Sequence, residues 1–318
     1  MNDKILWKYG KIKNYVSRVA QIKILKRPIR WKKWAGKRLL SASECNESIY
    51  EQIMSRKPFA VARMGSIEMD AVLAVERSKV ENILNDTFED NRKALYNNAG
   101  MFSNDLKGFF DFVNCYIGGI KNVDMLGVWF WDQEEFLIKK YASQAELTKL
   151  SNLEPYYETK NPWTSALKGK KVLVVHPFSE TIKKQYEKRL DIWENREILP
   201  EFELLTFKAI QTMCGEKDDR FESWCEALNY METEIKKLDF DIAILGCGAY
   251  GLPLAVAIKN MGKQAIHLGG ATQILFGIIG KRWEEKEFFK QKINNSWVRP
   301  SESEKPKNAQ TVEKGCYW

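Results

Sequence analysis

The chain predicts an α/β fold: a Rossmann-like, largely parallel sheet with helices on both faces, preceded by a basic helical N-terminal arm. Three observations predict it. From Ser41 onward, short apolar runs alternate with longer polar–apolar periodic runs, the pattern of strands covered on both faces by crossover helices. Turns containing glycine follow several of the apolar runs, as at Met64-Gly65-Ser66 and Gly246-Cys247-Gly248. Residues 1–40 carry thirteen Lys/Arg against Asp3 alone, so the segment holds +12 while the whole chain is +8.

In the arm, residues 1–40, Ile5, Ile12, Val16, Val19 and Ile22 recur at three- and four-residue steps, which places most of them on one helical face. Trp7, Tyr9, Tyr15, Trp31 and Trp34 are interleaved with the basic residues, and Pro28 breaks the arm in two. Lys/Arg with Trp/Tyr beside an apolar face suits an anionic membrane surface; a solvated helix packed on the body is the plainer reading of the same pattern. Residues 41–318 form the body. Its expected strands are Pro58–Arg63, Asp124–Phe130, Lys171–Val175, Asp241–Leu245 and Gln264–Leu268. Helices are expected over Ile67–Val75 and Asp132–Tyr141, from about Glu180, and after Gly251 to about Met261. The polar tail after Arg299 ends in Cys316-Tyr317-Trp318, aromatic enough to dock on the body.

Composition removes several function classes. Apolar residues make up 44% and charged residues 29% of the 318, close to globular averages, which argues against a disordered chain. None of the six cysteines forms a CxxC pair, and with only His176 and His267 present, zinc spacing and histidine-rich metal sites are excluded. No apolar stretch approaches the ~18 residues of a membrane span, and Lys/Arg interrupt any signal-like segment at the N-terminus. A reduced, cytoplasmic protein follows, peripheral at the inner membrane face if the arm binds there. No nucleic-acid partner is expected.

Ligands on open α/β sheets bind beyond the C-terminal ends of strands, and four such ends carry chemistry. After the first lies Arg63-Met64-Gly65-Ser66-Ile67-Glu68-Met69-Asp70. Gly65 permits a tight turn, Ser66 can cap the helix, and the helix N-terminus and Arg63 favour an anion. Glu68 fits beside phosphate if Mg2+ or Mn2+ lies between them, or if it binds sugar hydroxyls or acts as a base. An acid in a first helical turn also simply offsets the dipole. Gly246-Cys247-Gly248-Ala249-Tyr250-Gly251 matches GxGxxG between a strand and a helix, where Gly248 lets a backbone approach a diphosphate. The dinucleotide fingerprint also needs an acid at the end of the next strand, and here that strand ends His267-Leu268-Gly269-Gly270. His176-Pro177-Phe178-Ser179 is the third loop, with His176 a ligand contact or acid/base and Ser179 an N-cap. The fourth is His267-Leu268-Gly269-Gly270-Ala271-Thr272-Gln273, where Thr272 and Gln273 either hydrogen-bond a base or sugar or simply open the next helix. Asp132, flanked by Trp129 and Trp131 as sugar- or base-stacking faces or as core residues, is a further candidate, and Lys281-Arg282-Trp283 is either a basic pair for phosphates or a solvated helix end.

Three segments carry a resemblance: FAVARMGSIE (59–68), GKKVLVVHPFSETIKKQY (169–186) and LGCGAYGLPLAVAIKNMGKQAIHLGGATQILFGIIGKRW (245–283), with VEKGCYW (312–318) closing the chain. Together they resemble a bacterial family of glycosyltransferase-like proteins linked to polysaccharide biosynthesis, with the GT-D fold. The resemblance implies transfer of a sugar from a nucleotide-diphosphate-sugar donor to a glycan or lipid-linked acceptor. It places the donor around Arg63, Gly65, Ser66, Gly246, Gly248, Gly251, His267, Gly269 and Gly270. The family's Arg-x-Gly-Asp-Gly-Glu pattern handles Mn2+ or Mg2+ and the diphosphate; Arg63, Gly65 and Glu68 match it, Ser66 stands at the Asp position, and Asp70 is the nearby acid that would join Glu68 on a metal. Glu68, Asp132 and His176 are the candidate acid/base groups. The alternatives are an NAD(P)-dependent oxidoreductase using the GxGxxG turn, or a non-catalytic scaffold binding nucleotide or glycan.

Overall fold

Apolar runs become the central strands. The computed structural model describes residues 3–5, 7, 31–81, 87–102, 105–131, 133–158, 160–212, 216–307, 309 and 315–318. Its strands are β1 (Lys33–Trp34), β2 (Lys37–Leu40), β3 (Phe59–Arg63), β4 (Met125–Val128), β5 (Glu146–Lys149), β6 (Lys171–His176), β7 (Glu203–Lys208), β8 (Ile242–Leu245) and β9 (Gln264–His267). Among the described residues they form one nine-stranded sheet in the order β1-β2-β5-β4-β3-β9-β8-β6-β7. Only the β1/β2 pair is antiparallel. Two aspartates clip strand starts together. Asp124 Oδ2 accepts from Ala60 N at 2.8 Å, and Asp241 Oδ2 accepts from Lys171 N at 2.9 Å.

The longer helices are α1 (Ala42–Ser55), α2 (Ser66–Glu81), α3 (Thr87–Ala94), α4 (Leu106–Asn122), α5 (Glu134–Tyr141), α6 (Ser179–Glu187), α7 (Trp224–Ile235) and α8 (Gly251–Asn260). Each of α1, α4 and α7 starts at a polar cap that accepts a first-turn amide: Ser41, Asp105 and Ser223. At α1 the cap is reciprocal, because Glu44 accepts back from Ser41 N at 2.9 Å.

Alternation along each strand divides the core in two. Ala60, Ala62, Leu173, Val175, Ala243, Leu245 and Ala265 face the side of α2, α4, α7 and α8. Phe59, Val61, Val172, Val174, Ile242, Ile244 and Ile266 face the side of α1, α6 and the C-terminal turns. Alanines dominate the first face of β3, β8 and β9, which lets α8 lie close against the sheet. The bulkier opposite face fills a gap lined by Trp163, Phe276 and Phe289, all fully buried. Burying such a side chain stabilises by about 1.5–3 kcal/mol.

Of the arm's described residues, 3–5 and 7 are helical as expected, while the stretch nearest the body differs. Residues 33–40 form two strands instead of helix, because Ala35 (φ 51°) and Gly36 (φ 80°) both adopt positive φ and reverse the chain as a two-residue hairpin. Trp31 and Trp34 pack around Phe130, and the buried Trp7 meets Phe136 edge-on at 5.1 Å. Asp3 accepts from Lys140 Nζ at 2.6 Å. The expected helical face at Ile12, Val16, Val19 and Ile22, with Tyr9 and Tyr15, lies outside the described residues. No helix among the described residues is long and apolar enough to cross a membrane.

Chain order places the site. β6 sends α6 toward β7, whereas β8 sends α8 toward β9, so the connections diverge between β6 and β8. At β3 and β9 they diverge again, since β3 leads away toward β4. Crevices open at such points, at the strand C-termini.

Candidate functional site

One cleft spans both divergence points. It encloses about 1040 Å3, counting its open mouth, and is lined by Arg63, Gly65, Ser66 and Glu68 after β3, His176 after β6, Gly246 and Gly248 after β8, and His267, Gly269 and Gly270 after β9. Four strand ends far apart in sequence are thereby brought together.

At the β3 end, Gly65 and not Ser66 caps α2. The Gly65 carbonyl accepts the first helical bond, from Met69 N at 2.9 Å, and Ser66 is the first helical residue. Gly65 N donates to Tyr116 Oη at 2.9 Å. The Glu68 carboxylate folds back over Gly65, so that a Cβ there would lie 1.9 Å from Oε2. Its charge acts on both Arg63 and Tyr116. The Arg63 guanidinium lies over the Trp129 ring, 4.7 Å from the centroid, and Trp129 Nε1 donates to Met64 O at 2.7 Å. Glu134 holds the turn that presents Trp129, accepting from Trp129 N at 2.9 Å and Phe130 N at 2.8 Å. Burial pushes its carboxyl up to about 7, against the pull of those amides.

Glu68 and Asp70 do not converge. Two residues along a helix are about 200° apart, and Asp70 is exposed outside the cleft lining while Glu68 is buried within it. The pair expected to hold Mn2+ or Mg2+ therefore does not form a ligand set, and no group of three or more His, Cys, Asp or Glu side chains suited to a metal occurs among the described residues. Asp132 lies outside the described residues.

The glycines of the β8 turn have distinct tasks. A Cβ on Gly246 would lie 2.4 Å from His176 Cδ2, and one on Gly251 would lie 2.0 Å from His267 Cε1. Those two seat the histidines, and Gly251 does not line the cleft. Gly248, with φ +57°, has nothing within 4 Å of where its Cβ would stand, so its backbone faces open space.

Both histidines are buried, and burial pulls each down to about 3. His176 Nδ1 accepts from Phe178 N at 3.0 Å, which leaves the proton of the neutral ring on Nε2. His267 Nδ1 lies 3.2 Å from the Leu245 carbonyl; a carbonyl only accepts, so this ring carries its proton on Nδ1. Ser179 does not cap α6. The cap position is Phe178, and the first-turn donors go to Glu304, which accepts from Glu180 N at 2.8 Å, Thr181 N at 3.2 Å and the Thr181 hydroxyl. A carboxylate from 123 residues on thus occupies this helix N-terminus.

Sequence reasoning missed Tyr116, Glu134, Glu154 and the Gly100–Thr212 contact. Thr212 Oγ1 donates to Gly100 O at 2.5 Å, and both residues line the cleft. These residues sit on helices or loops without motif spacing, so nothing local marks them. The docked tail is found: Tyr317 and Trp318 line the cleft.

No protein-family model matches the chain, and no curated relative does. Two solved structures are similar. One is of domain of unknown function 1792, described as having a distinct glycosyltransferase fold, at 14% identity and TM-score 0.38 over 73% of this chain and 77% of that one. The other is a selenomethionine-substituted structure of domain of unknown function 1792, at 13% identity and TM-score 0.38 over 83% of this chain and 96% of that one.

Proposed function

We propose that the protein is a glycosyltransferase that moves a sugar from a nucleotide-diphosphate-sugar donor to a hydroxyl of a glycan or lipid-linked acceptor in surface polysaccharide synthesis. The observation that carries this reading is the convergence of Arg63, Glu68 and the open Gly248 backbone in one cleft at the strand C-termini.

Arg63 and the Gly248 backbone face the diphosphate, whose charge grows as the bond from the sugar C1 to the β-phosphate oxygen breaks. A new bond forms between C1 and the acceptor oxygen, and the acceptor proton passes to the Glu68 carboxylate. His176 fits a donor role better than that of a base. Its low pKa keeps it neutral, and its Nδ1 is already occupied. A bound Mn2+ or Mg2+ would supply further charge for the leaving group, but Glu68 and Asp70 point apart, and no step here passes through a metal. The basic arm, residues 1–40, would hold the enzyme at the inner membrane face, where a lipid-linked acceptor resides.

Transfer is tested by incubating the purified chain with UDP-, GDP-, CMP- and dTDP-sugars and following nucleotide release, with NAD and NADP as controls in a thermal-shift panel. Release from one donor class, lost in Glu68→Gln with the fold intact, is expected. Stabilisation by NAD or NADP alone would overturn the reading.

A further inference from the structure

We propose that Arg63 and Arg282 form a two-guanidinium clamp for the diphosphate, taking the part that a divalent cation plays in metal-dependent transfer. This rests on the transferase reading of the cleft. Both arginines line it, yet they arrive from opposite ends of the body, one at the end of β3 and the other in the short helix Lys281–Glu284.

Adjacent glycines seat the two groups. Arg63 passes over Gly269, where a Cβ would lie 3.4 Å from its Cδ, and its other face meets Trp129. Gly270 makes room for Tyr317 instead: a Cβ there would fall 2.5 Å from the ring Cε1. Tyr317 in turn orients Arg282. Arg282 Nη1 donates to Tyr317 Oη at 2.9 Å, and its guanidinium lies 5.5 Å from the Tyr317 ring centroid. Two backbone contacts hold this segment. Arg282 N donates to Cys316 O at 3.0 Å, and Gln273 Nε2 donates to Tyr317 O at 3.2 Å. A loop of two glycines therefore fixes a half-buried cation and an exposed one around the same space.

Arg282 acts on Arg63 as a like charge, with Glu154 and Glu68 as the opposing ones. Glu154 is tied to the Tyr156 hydroxyl and also feels Lys286. Guanidinium forks match phosphate oxygens in pairs, and a diphosphate offers oxygens to both at once. Glu68 and Asp70 diverge, and Ser66 stands where the pattern has an Asp, so the two acids expected to share a metal do not meet.

Calorimetry on the full chain in EDTA tests the clamp, with inorganic pyrophosphate, UDP, GDP, CMP and dTDP as probes. Pyrophosphate and one nucleotide are expected to bind. Arg282→Gln should weaken both by about tenfold or more. Arg282→Lys should weaken them nearly as much, since a point charge lacks the fork. Tyr317→Phe should cost a smaller factor by removing the acceptor that orients Arg282. The exposed Lys290→Gln, outside the cleft lining, should change nothing, and because Arg282 is itself exposed, its variants should melt like the parent. Binding that appears only with Mn2+ and is indifferent to Arg282→Gln would overturn the clamp. Pyrophosphate binding lost in Arg282→Gln, without binding of any nucleotide, would keep the clamp and remove the nucleotide-sugar reading. No binding of any probe, with or without Mn2+, would remove both.

Discussion

Glu68 stands where a side chain on Gly65 would have to go: a Cβ on Gly65 would lie 1.9 Å from Oε2 and 2.4 Å from Cδ of Glu68. The glycine is the space the carboxylate occupies, and the carboxylate is the group assigned to the acceptor proton. Gly65→Ala is therefore expected to displace Glu68 without touching the donor directly. Transfer should fall by about 100-fold, within the range for losing a general base, while donor affinity changes little. Glu68→Gln should give a similar loss, and the double variant should be no worse than either single one, because both remove the same function. Additive losses in steady-state kinetics would separate Gly65 from the action of Glu68.

His176 and His267 make stability depend on pH. Both are held near a pKa of about 3, against an ordinary value of 6.5, because the buried ring is stable only when neutral. The unfolded chain takes up those protons below about pH 6.5 and the folded chain does not. Each ring's contribution is thus complete above pH 6.5 and is lost as pH falls toward 3. Between those limits each steepens the decline by about 1.4 kcal/mol per pH unit. Urea midpoints from pH 4 to 8 should show His176→Asn and His267→Asn each flattening the acid limb by about one proton. Profiles parallel to the parent would show that the rings do not carry this dependence.

Glu304 caps α6 across more than a hundred residues, through Glu180 N, Thr181 N and the Thr181 hydroxyl. Glu304→Ala leaves those donors without their carboxylate and is expected to cost about 1–3 kcal/mol. The midpoint of chemical unfolding should fall with its slope unchanged. Glu304→Gln keeps an acceptor and should lose less. An unchanged midpoint in Glu304→Ala would mean that water satisfies the helix start equally well.

The sheet was legible where strands are buried on both faces. Phe59–Arg63, Lys171–His176, Ile242–Leu245 and Gln264–His267 are short apolar runs, and the loops after them were found with the strands. Strands toward the sheet margins were not. β7 reads Glu-Leu-Leu-Thr-Phe-Lys and is only half-buried, and β5 buries just Leu147 and Thr148; neither breaks the polar pattern around it. The site was legible in the same uneven way. Arg63, Glu68 and Gly248 sit in strand–turn–helix motifs whose geometry is local. Asp70 misled because sequence proximity to Glu68 is not proximity on a helix. Ser179 misled because a cap can come from Glu304, and no local rule anticipates so distant a partner. The joining of Tyr317 to Arg282 depends on Gly270, which looked like part of a ligand loop and makes room for a piece of the chain itself.

The arm poses the last test, and the structure changes how it must be run. Removing residues 1–40 would delete β1 and β2 and the buried Trp34, so a loss of vesicle binding could come from a damaged sheet. Lys23, Lys26, Arg27 and Arg30 lie between Trp7 and Trp31 in sequence, outside the described residues. Replacing these four with Gln leaves Trp7, Trp31 and the hairpin unchanged. Each basic residue at an anionic surface contributes about 1 kcal/mol, so the fourfold variant should bind phosphatidylserine-containing vesicles at least about 100-fold more weakly. Binding to neutral phosphatidylcholine vesicles should stay low in both proteins, and donor binding should be equal. Salt should weaken the parent's binding more than the variant's. Equal vesicle binding by parent and variant at low salt would sink the membrane role of the arm and leave its charge as a solvated surface.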